Sequence, residues 1–147
     1  MCGIAGIYNF RGTQAQSVET VSRMLSSISH RGPDGFGAYH DGGVCLGHAR
    51  LSIIDLSGGG QPMSNEDGSV WITFNGEIFN FEELRAGLEE RGHRFRTNSD
   101  TEVIVHLYED LGHGCLERLN GQFAFAIWDT AKIELFIARD RMGIRPL

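Results

Sequence analysis

The stretch Gln122-Phe-Ala-Phe-Ala-Ile-Trp-Asp129 decides how this chain must be layered. Successive side chains of an extended strand point to opposite faces. Phe123, Phe125 and Ile127 therefore share one face, and Ala124, Ala126 and Trp128 share the other. A strand with one solvated face would alternate apolar and polar residues. Here neither face is polar, so both need cover. Glu134-Leu-Phe-Ile-Ala-Arg-Asp140 follows after a short turn at residues 130–133 and reads as a hairpin partner.

Upstream lies a succession of short elements. Residues 4–8 alternate as a strand, and Val18, Val21, Leu25 and Ile28 recur at helical spacing, which predicts a helix over about 17–29. His30-Arg-Gly-Pro-Asp-Gly35 breaks that helix with turn residues around Pro33. Strands are expected at 36–40, 44–51 and 70–74, the last preceded by a polar loop over 57–69. Asn75-Gly76 reads as a hairpin turn. Asn80 with Glu83, and Ser99 with Glu102, fit capping boxes for two helices that Gly92 and Gly112 stop. The turns between strands are too short for crossover helices, so pairing should be antiparallel. The expected class is α+β, one domain with sheets covered by helices.

With 147 residues, 41% hydrophobic and 22% charged, the chain can bury a core of its own. A net charge of -6 argues against nucleic acid as a partner, which needs clustered cations. No apolar run approaches the roughly 20 residues of a membrane span. No signal peptide is expected before the first strand, and Cys2 in place of glycine does not fit the myristoylation pattern. A cytoplasmic protein with no membrane partner is expected. Three cysteines, Cys2, Cys45 and Cys115, form an odd count without a CxxC pair and are expected to be free thiols. The six histidines lack HExxH or paired ligand spacing, so no metal site is expected. The run Leu56-Ser-Gly-Gly-Gly60 has no Walker lysine and reads as a plain loop.

Several residues have both a structural and a chemical reading. Cys2 fits a small buried thiol beside a strand. It also fits an N-terminal nucleophile: once Met1 is removed, an α-amine of ordinary pKa about 7.7–8.0 stands beside the sulfur and can take its proton. The Asn75 side-chain amide and the Gly76 backbone N–H suit a turn, or an oxyanion hole, or both. Arg50 is a strand cation, or a fork for a carboxylate. Asp100 sits where a helix dipole favours an acid, and could equally face an ammonium group.

Taken in order, MCGIAGI, HRGPDG, LGHARLSIIDLSGGGQPM, FNGEIFN, TNSDTEVI and GQFAFAIWD with ARDRMGIRPL resemble the glutaminase domain of class II glutamine amidotransferases, in its asparagine synthetase branch. The resemblance implies an N-terminal nucleophile hydrolase fold, a four-layer αββα sandwich of two antiparallel sheets with helices outside. It implies Cys2 as nucleophile and Asn75 and Gly76 as oxyanion hole. Arg50 would hold the L-glutamine α-carboxylate, with Glu77 and Asp100 at its α-amino end. Family members continue past GIRPL with more of this domain and then an ATP-using synthetase domain. The resemblance therefore implies a glutaminase domain over 1–147 that is incomplete at its C-terminus. No cofactor is expected here, ATP and Mg belonging to the synthetase domain. That domain is the expected partner, and a homodimer is compatible with the family. Two competing readings are a non-catalytic glutamine-binding module and the glutaminase domain of another amidotransferase branch.

Overall fold

A computed structural model describes residues 1–10, 18–52 and 58–147. The expected helix start at Ser17, and Leu56 and Ser57 of the glycine-rich loop, lie outside those residues. The described elements are β1 (Gly3–Tyr8), α1 (Val18–Ser27), β2 (Gly35–Asp41), β3 (Val44–Arg50), β4 (Met63–Ser64), β5 (Val70–Ile78), α2 (Phe81–Glu90), α3 (Asp100–Leu111), β6 (Gly121–Asp129) and β7 (Glu134–Arg139). Single 3-10 segments at Ser29–Arg31 and Gly112–Glu117 follow α1 and α3. All strand pairs are antiparallel, in two sheets of order β1-β3-β2 and β4-β5-β6-β7.

Strand alternation builds the layers. On β6, Phe123, Phe125 and Ile127 join the core beneath α2 and α3, which contains Leu88, Val103, Ile104 and Leu107. Trp128 points the other way and packs with Val44 and Leu46 of the first sheet. On β3, Cys45 and Ala49 face Val21 and Leu25 of α1. Gly47 lies between them because a Cβ there would stand 2.5 Å from Val21 Cγ1. The result is helix, sheet, sheet, helix, as both apolar faces of 122–129 require. Across the sheet interface Tyr39 stacks on Trp71 with ring centroids 4.0 Å apart, and Trp128 Nε1 donates to Asp41 Oδ2 at 2.8 Å. Thr73 Oγ1 donates to the Gly47 carbonyl at 3.1 Å. Beside this interface an apolar cleft of about 640 Å³ opens between edge strands β1 and β7, lined by Ile4, Tyr8, Leu135 and Ile137.

Three local expectations need correction. Asn75-Gly76 is not a hairpin turn but part of the nine-residue β5, with Asn75 opposite Ala124 and Gly76 opposite Phe123. The nine-residue β6 supplies a partner along its whole length, and the chain reverses only past Ile78, where Phe79 N–H donates to the Asn120 carbonyl at 2.7 Å. Asn80 makes no capping bond; its amide instead binds the Arg118 carbonyl and the Asn120 N–H. Ser99 does cap α3, accepting from Thr101 N–H, but Glu102 reaches past it to the N–H groups of Arg96 and Thr97.

Candidate active site

Antiparallel pairing of Gly3 with Ala49 sets Cys2 beside the end of β3. The Leu51 N–H points at Cys2 Sγ over 3.4 Å, and the thiol lies 3.5 Å from the Leu51 carbonyl. The 30–35 turn clamps this corner. Arg31 Nε donates to the Cys2 carbonyl at 3.0 Å, Asp34 N–H to the Arg50 carbonyl at 2.9 Å, and Ser52 N–H to Asp34 Oδ2 at 2.8 Å. Gly32 permits the fit, since a Cβ would fall 2.2 Å from the Ala49 oxygen.

The second sheet supplies the opposite wall. On β5 the inward face carries Asn75 and Glu77, while Phe74 and Ile78 point into the helical core. Asn75 is 2% exposed, and no described residue hydrogen-bonds its side-chain amide. Gly76 lies so close to β6 that a Cβ would sit 2.3 Å from the Gln122 oxygen. Asp100 opens α3 and accepts from Ile78 N–H at 3.0 Å, tying the helix to the strand. Burial pushes its carboxyl upward, and the Glu77 charge adds to that, against the backbone N–H groups that favour its ionised form.

All six residues singled out from the sequence, Cys2, Arg50, Asn75, Gly76, Glu77 and Asp100, line one cavity of about 80 Å³. A thiol, a guanidinium, an amide and two carboxyl groups thus converge from β1, β3, β5 and α3. The other two cysteines do not share this setting. Cys45 and Cys115 are buried, and burial raises both thiols, Cys115 to about 11. All three are free, as their odd count suggested.

The cavity also contains residues that sequence reasoning passed over. His48 lies two positions before Arg50, so the period-2 rule puts both on one face and could have found it. Its Nδ1 is 3.3 Å from Thr73 Oγ1, its buried Nε2 has no hydrogen-bond partner among the described residues, and burial with the neighbouring Arg50 lowers its pKa to about 4. It is held neutral. Gln61 braces two walls, accepting from Phe74 N–H at 2.7 Å and donating to Thr101 Oγ1 at 3.1 Å. Arg145 is delivered by a turn in which Asp140 accepts from the N–H groups of Met142, Ile144 and Arg145, and its guanidinium meets the Met1 sulfur at the cavity wall. Neither residue carries a local pattern that marks it.

Over residues 1–147 the chain matches the family described as "Glutamine amidotransferase domain", and it belongs to that family. It is 47% identical over 149 residues to asparagine synthetase (glutamine-hydrolyzing) 2 of Bacillus subtilis, covering 100% of this chain and 20% of the relative. Asparagine synthetase (glutamine-hydrolyzing) 3 of the same organism is 43% identical over 148 residues, covering 99% of this chain and 24% of the relative. The asparagine synthetase of Sandersonia aurantiaca is 44% identical over 147 residues, with 100% and 28% covered. The chain thus spans between 20% and 28% of the length of these relatives. Among solved structures, glutamine phosphoribosylpyrophosphate amidotransferase from B. subtilis superposes with a TM-score of 0.80 at 26% identity, covering 99% of this chain and 38% of that one. The N-terminal nucleophile hydrolase sandwich implied by the sequence motifs is the fold observed.

Proposed function

We propose that the chain hydrolyses L-glutamine to L-glutamate and ammonia through a thioester on Cys2. The observation that carries this reading is the convergence of Cys2 with Arg50, Asn75, Gly76, Glu77 and Asp100 in one cavity. With Met1 removed, the Cys2 α-amine takes the thiol proton, and the thiolate attacks the side-chain carbonyl carbon of glutamine. The carbonyl oxygen becomes an oxyanion, which the Asn75 side-chain N–H and the Gly76 N–H stabilise. Collapse of the tetrahedral intermediate breaks the C–N bond, and the amine returns its proton to the leaving ammonia. Water then attacks the thioester by the same route, releasing glutamate and restoring the thiol. Arg50 holds the α-carboxylate in two hydrogen bonds, and Asp100 with Glu77 receives the α-ammonium.

Met1 bears on this twice. Joined to Cys2 by an amide it abolishes the base, and it forms part of the cavity wall. In a longer parent, ammonia would pass to an ATP-dependent synthetase domain that amidates aspartate, a reading supported by the similarity to glutamine-hydrolysing asparagine synthetases. The test is glutamate release by chain with and without Met1, separated by mass, alongside Cys2→Ala. Only the Met1-free chain should turn over. Turnover by Cys2→Ala would sink the nucleophile assignment, and equal rates with and without Met1 would sink the amine as base.

A further inference from the structure

The six histidines show no ligand spacing along the chain, yet the fold brings two of them together away from the cavity. His93, in the connection from α2 to α3, and His106, on α3, face each other through their Nδ1 atoms at 3.2 Å. Glu109 Oε2 lies 2.8 Å from His106 Nδ1 and 3.9 Å from His93 Nδ1. Glu66, from the β4–β5 loop, places Oε2 3.8 Å from His106 Nδ1. One donor atom from each of Glu66, His93 and His106 falls within 4.8 Å of the others.

The far ring nitrogens indicate what the near ones can do. His93 Nε2 is 2.9 Å from Asp110 Oδ1, and Arg91 Nε donates to the other Asp110 oxygen at 2.7 Å. A carboxylate accepts, so the His93 proton resides on Nε2 and the Nδ1 lone pair is left facing His106. Among the described residues His106 Nε2 has no hydrogen-bond partner, with Glu102 Oε1 at 3.8 Å, while its Nδ1 donates to Glu109 Oε2 at 2.8 Å, a proton that an incoming cation displaces. A carboxylate behind the outer nitrogen of a ligating imidazole is the usual arrangement in metal sites. The outer oxygens are held as well: Asn65 Nδ2 donates to Glu109 Oε1 at 2.8 Å, and Arg94 N–H points at Glu66 Oε1 over 3.4 Å. In a tetrahedral site with metal–ligand bonds of about 2.0–2.2 Å, neighbouring donor atoms stand roughly 3.3–3.6 Å apart. The three Nδ1 and Oε2 separations of 3.2, 2.8 and 3.9 Å among His93, His106 and Glu109 bracket that spacing.

We propose that His93, His106, Glu109 and Glu66 form a binding site for a divalent cation of the zinc class. Two imidazoles favour zinc over magnesium or calcium, whose ligands are oxygens. The ligands come from three segments, the β4–β5 loop, the α2–α3 connection and α3, so the ion is structural and cross-links them. Asp100, at the start of α3, faces the active-site cavity, whereas His106 and Glu109 lie further along the helix.

The experiment is zinc titration of chelator-treated chain near pH 7.5, followed calorimetrically, with cobalt as a spectroscopic substitute. Wild type, Cys2→Ser, His93→Gln and Glu66→Gln are compared, the serine variant removing the active-site thiol as a ligand. One zinc per chain should bind with Kd below about 10 μM in wild type and Cys2→Ser, raising Tm, and cobalt should give intense tetrahedral absorption bands. His93→Gln and Glu66→Gln should each weaken binding by at least about 10-fold while keeping the metal-free Tm and circular dichroism. Glu66 is exposed, so its variant decides the matter if His93→Gln unfolds. Absence of saturable binding overturns the proposal. So does binding lost in Cys2→Ser, or binding that both ligand variants retain.

Discussion

His48 is a fully buried imidazole whose Nε2 has no hydrogen-bond partner among the described residues, so protonating it inside the fold is costly. Its pKa falls from an ordinary 6.5 to about 4. Between those values the unfolded chain binds more protons than the folded one, so stability rises with pH. The contribution is complete above pH 6.5 and is lost as pH falls through about 4, a change of about 3 kcal/mol. Urea denaturation from pH 7 to pH 4.5 should show this slope, and His48→Gln should flatten it; an unchanged slope would assign it elsewhere. At the cavity, two neighbouring side chains should separate kinetically. Asn75→Ala should lower kcat for glutamine by about 10²–10³ with KM little changed, because in the proposed reaction its donor acts on the developing oxyanion. Arg50→Ala should chiefly raise KM, since a carboxylate clamp serves ground and transition states alike. Steady-state kinetics on Met1-free chain distinguish the two, and the reverse pattern would exchange their roles.

At the scale of the elements, glycines divide according to what surrounds them. A Cβ on Gly76 would meet the Gln122 carbonyl oxygen at 2.3 Å and Phe123 Cα at 2.8 Å, both backbone atoms of β6 that cannot turn aside. Gly76→Ala should therefore push β5 from β6, costing about 1–3 kcal/mol and displacing Asn75. Gly87 lies within α2, where the added methyl would meet only Arg91 Nη1 at 3.5 Å. Gly87→Ala should stabilise by about 0.5–1 kcal/mol, since alanine loses less backbone freedom in a helix. Thermal melts of the two variants should move in opposite directions. A lower Tm for Gly87→Ala would mean that α2 is constrained by more than its own backbone.

The described residues form three apolar layers of unequal depth. The core under α2 and α3 is large, whereas the layer between the sheets rests on Val44, Leu46 and Trp128 with flanking aromatics. The cavity lined by Cys2, Arg50 and Asn75 lies at one end of that thinner layer, where β1 and β3 meet β5. Trp128 is 4% exposed and bridges the sheets, so Trp128→Ala should cost about 3–5 kcal/mol. Ile137, 51% exposed at the edge, should cost less than about 0.5 kcal/mol as Ile137→Ala. Equilibrium denaturation of both variants measures how far the thin layer governs stability. Near-equal losses would place the weight on the helical core instead.

The sequence by itself determined which faces are buried, because side-chain alternation is a local property. Residues 122–129 announced a strand covered twice, and the family resemblance named Cys2, Arg50, Asn75, Gly76, Glu77 and Asp100 as site residues, whereas their convergence in one cavity is a finding of the fold. Their order in six motifs carried the family, and free cysteines followed from their count. The tertiary structure decided what depends on partners far along the chain. Asn75-Gly76 has strong turn chemistry, yet nine residues of β6 offered ladder hydrogen bonds along the full length of β5, and pairing prevailed over local preference. Asn80 left its helix for the 118–120 backbone for the same kind of reason: a distant partner satisfied its amide. His93 and His106 are separated by α3's first turns and by the 94–99 segment, so no spacing rule joins them; only the packing of that segment against the helix sets their rings 4.9 Å apart. Face is written in adjacent residues, whereas register and proximity depend on which distant segments satisfy one another's backbone and charge.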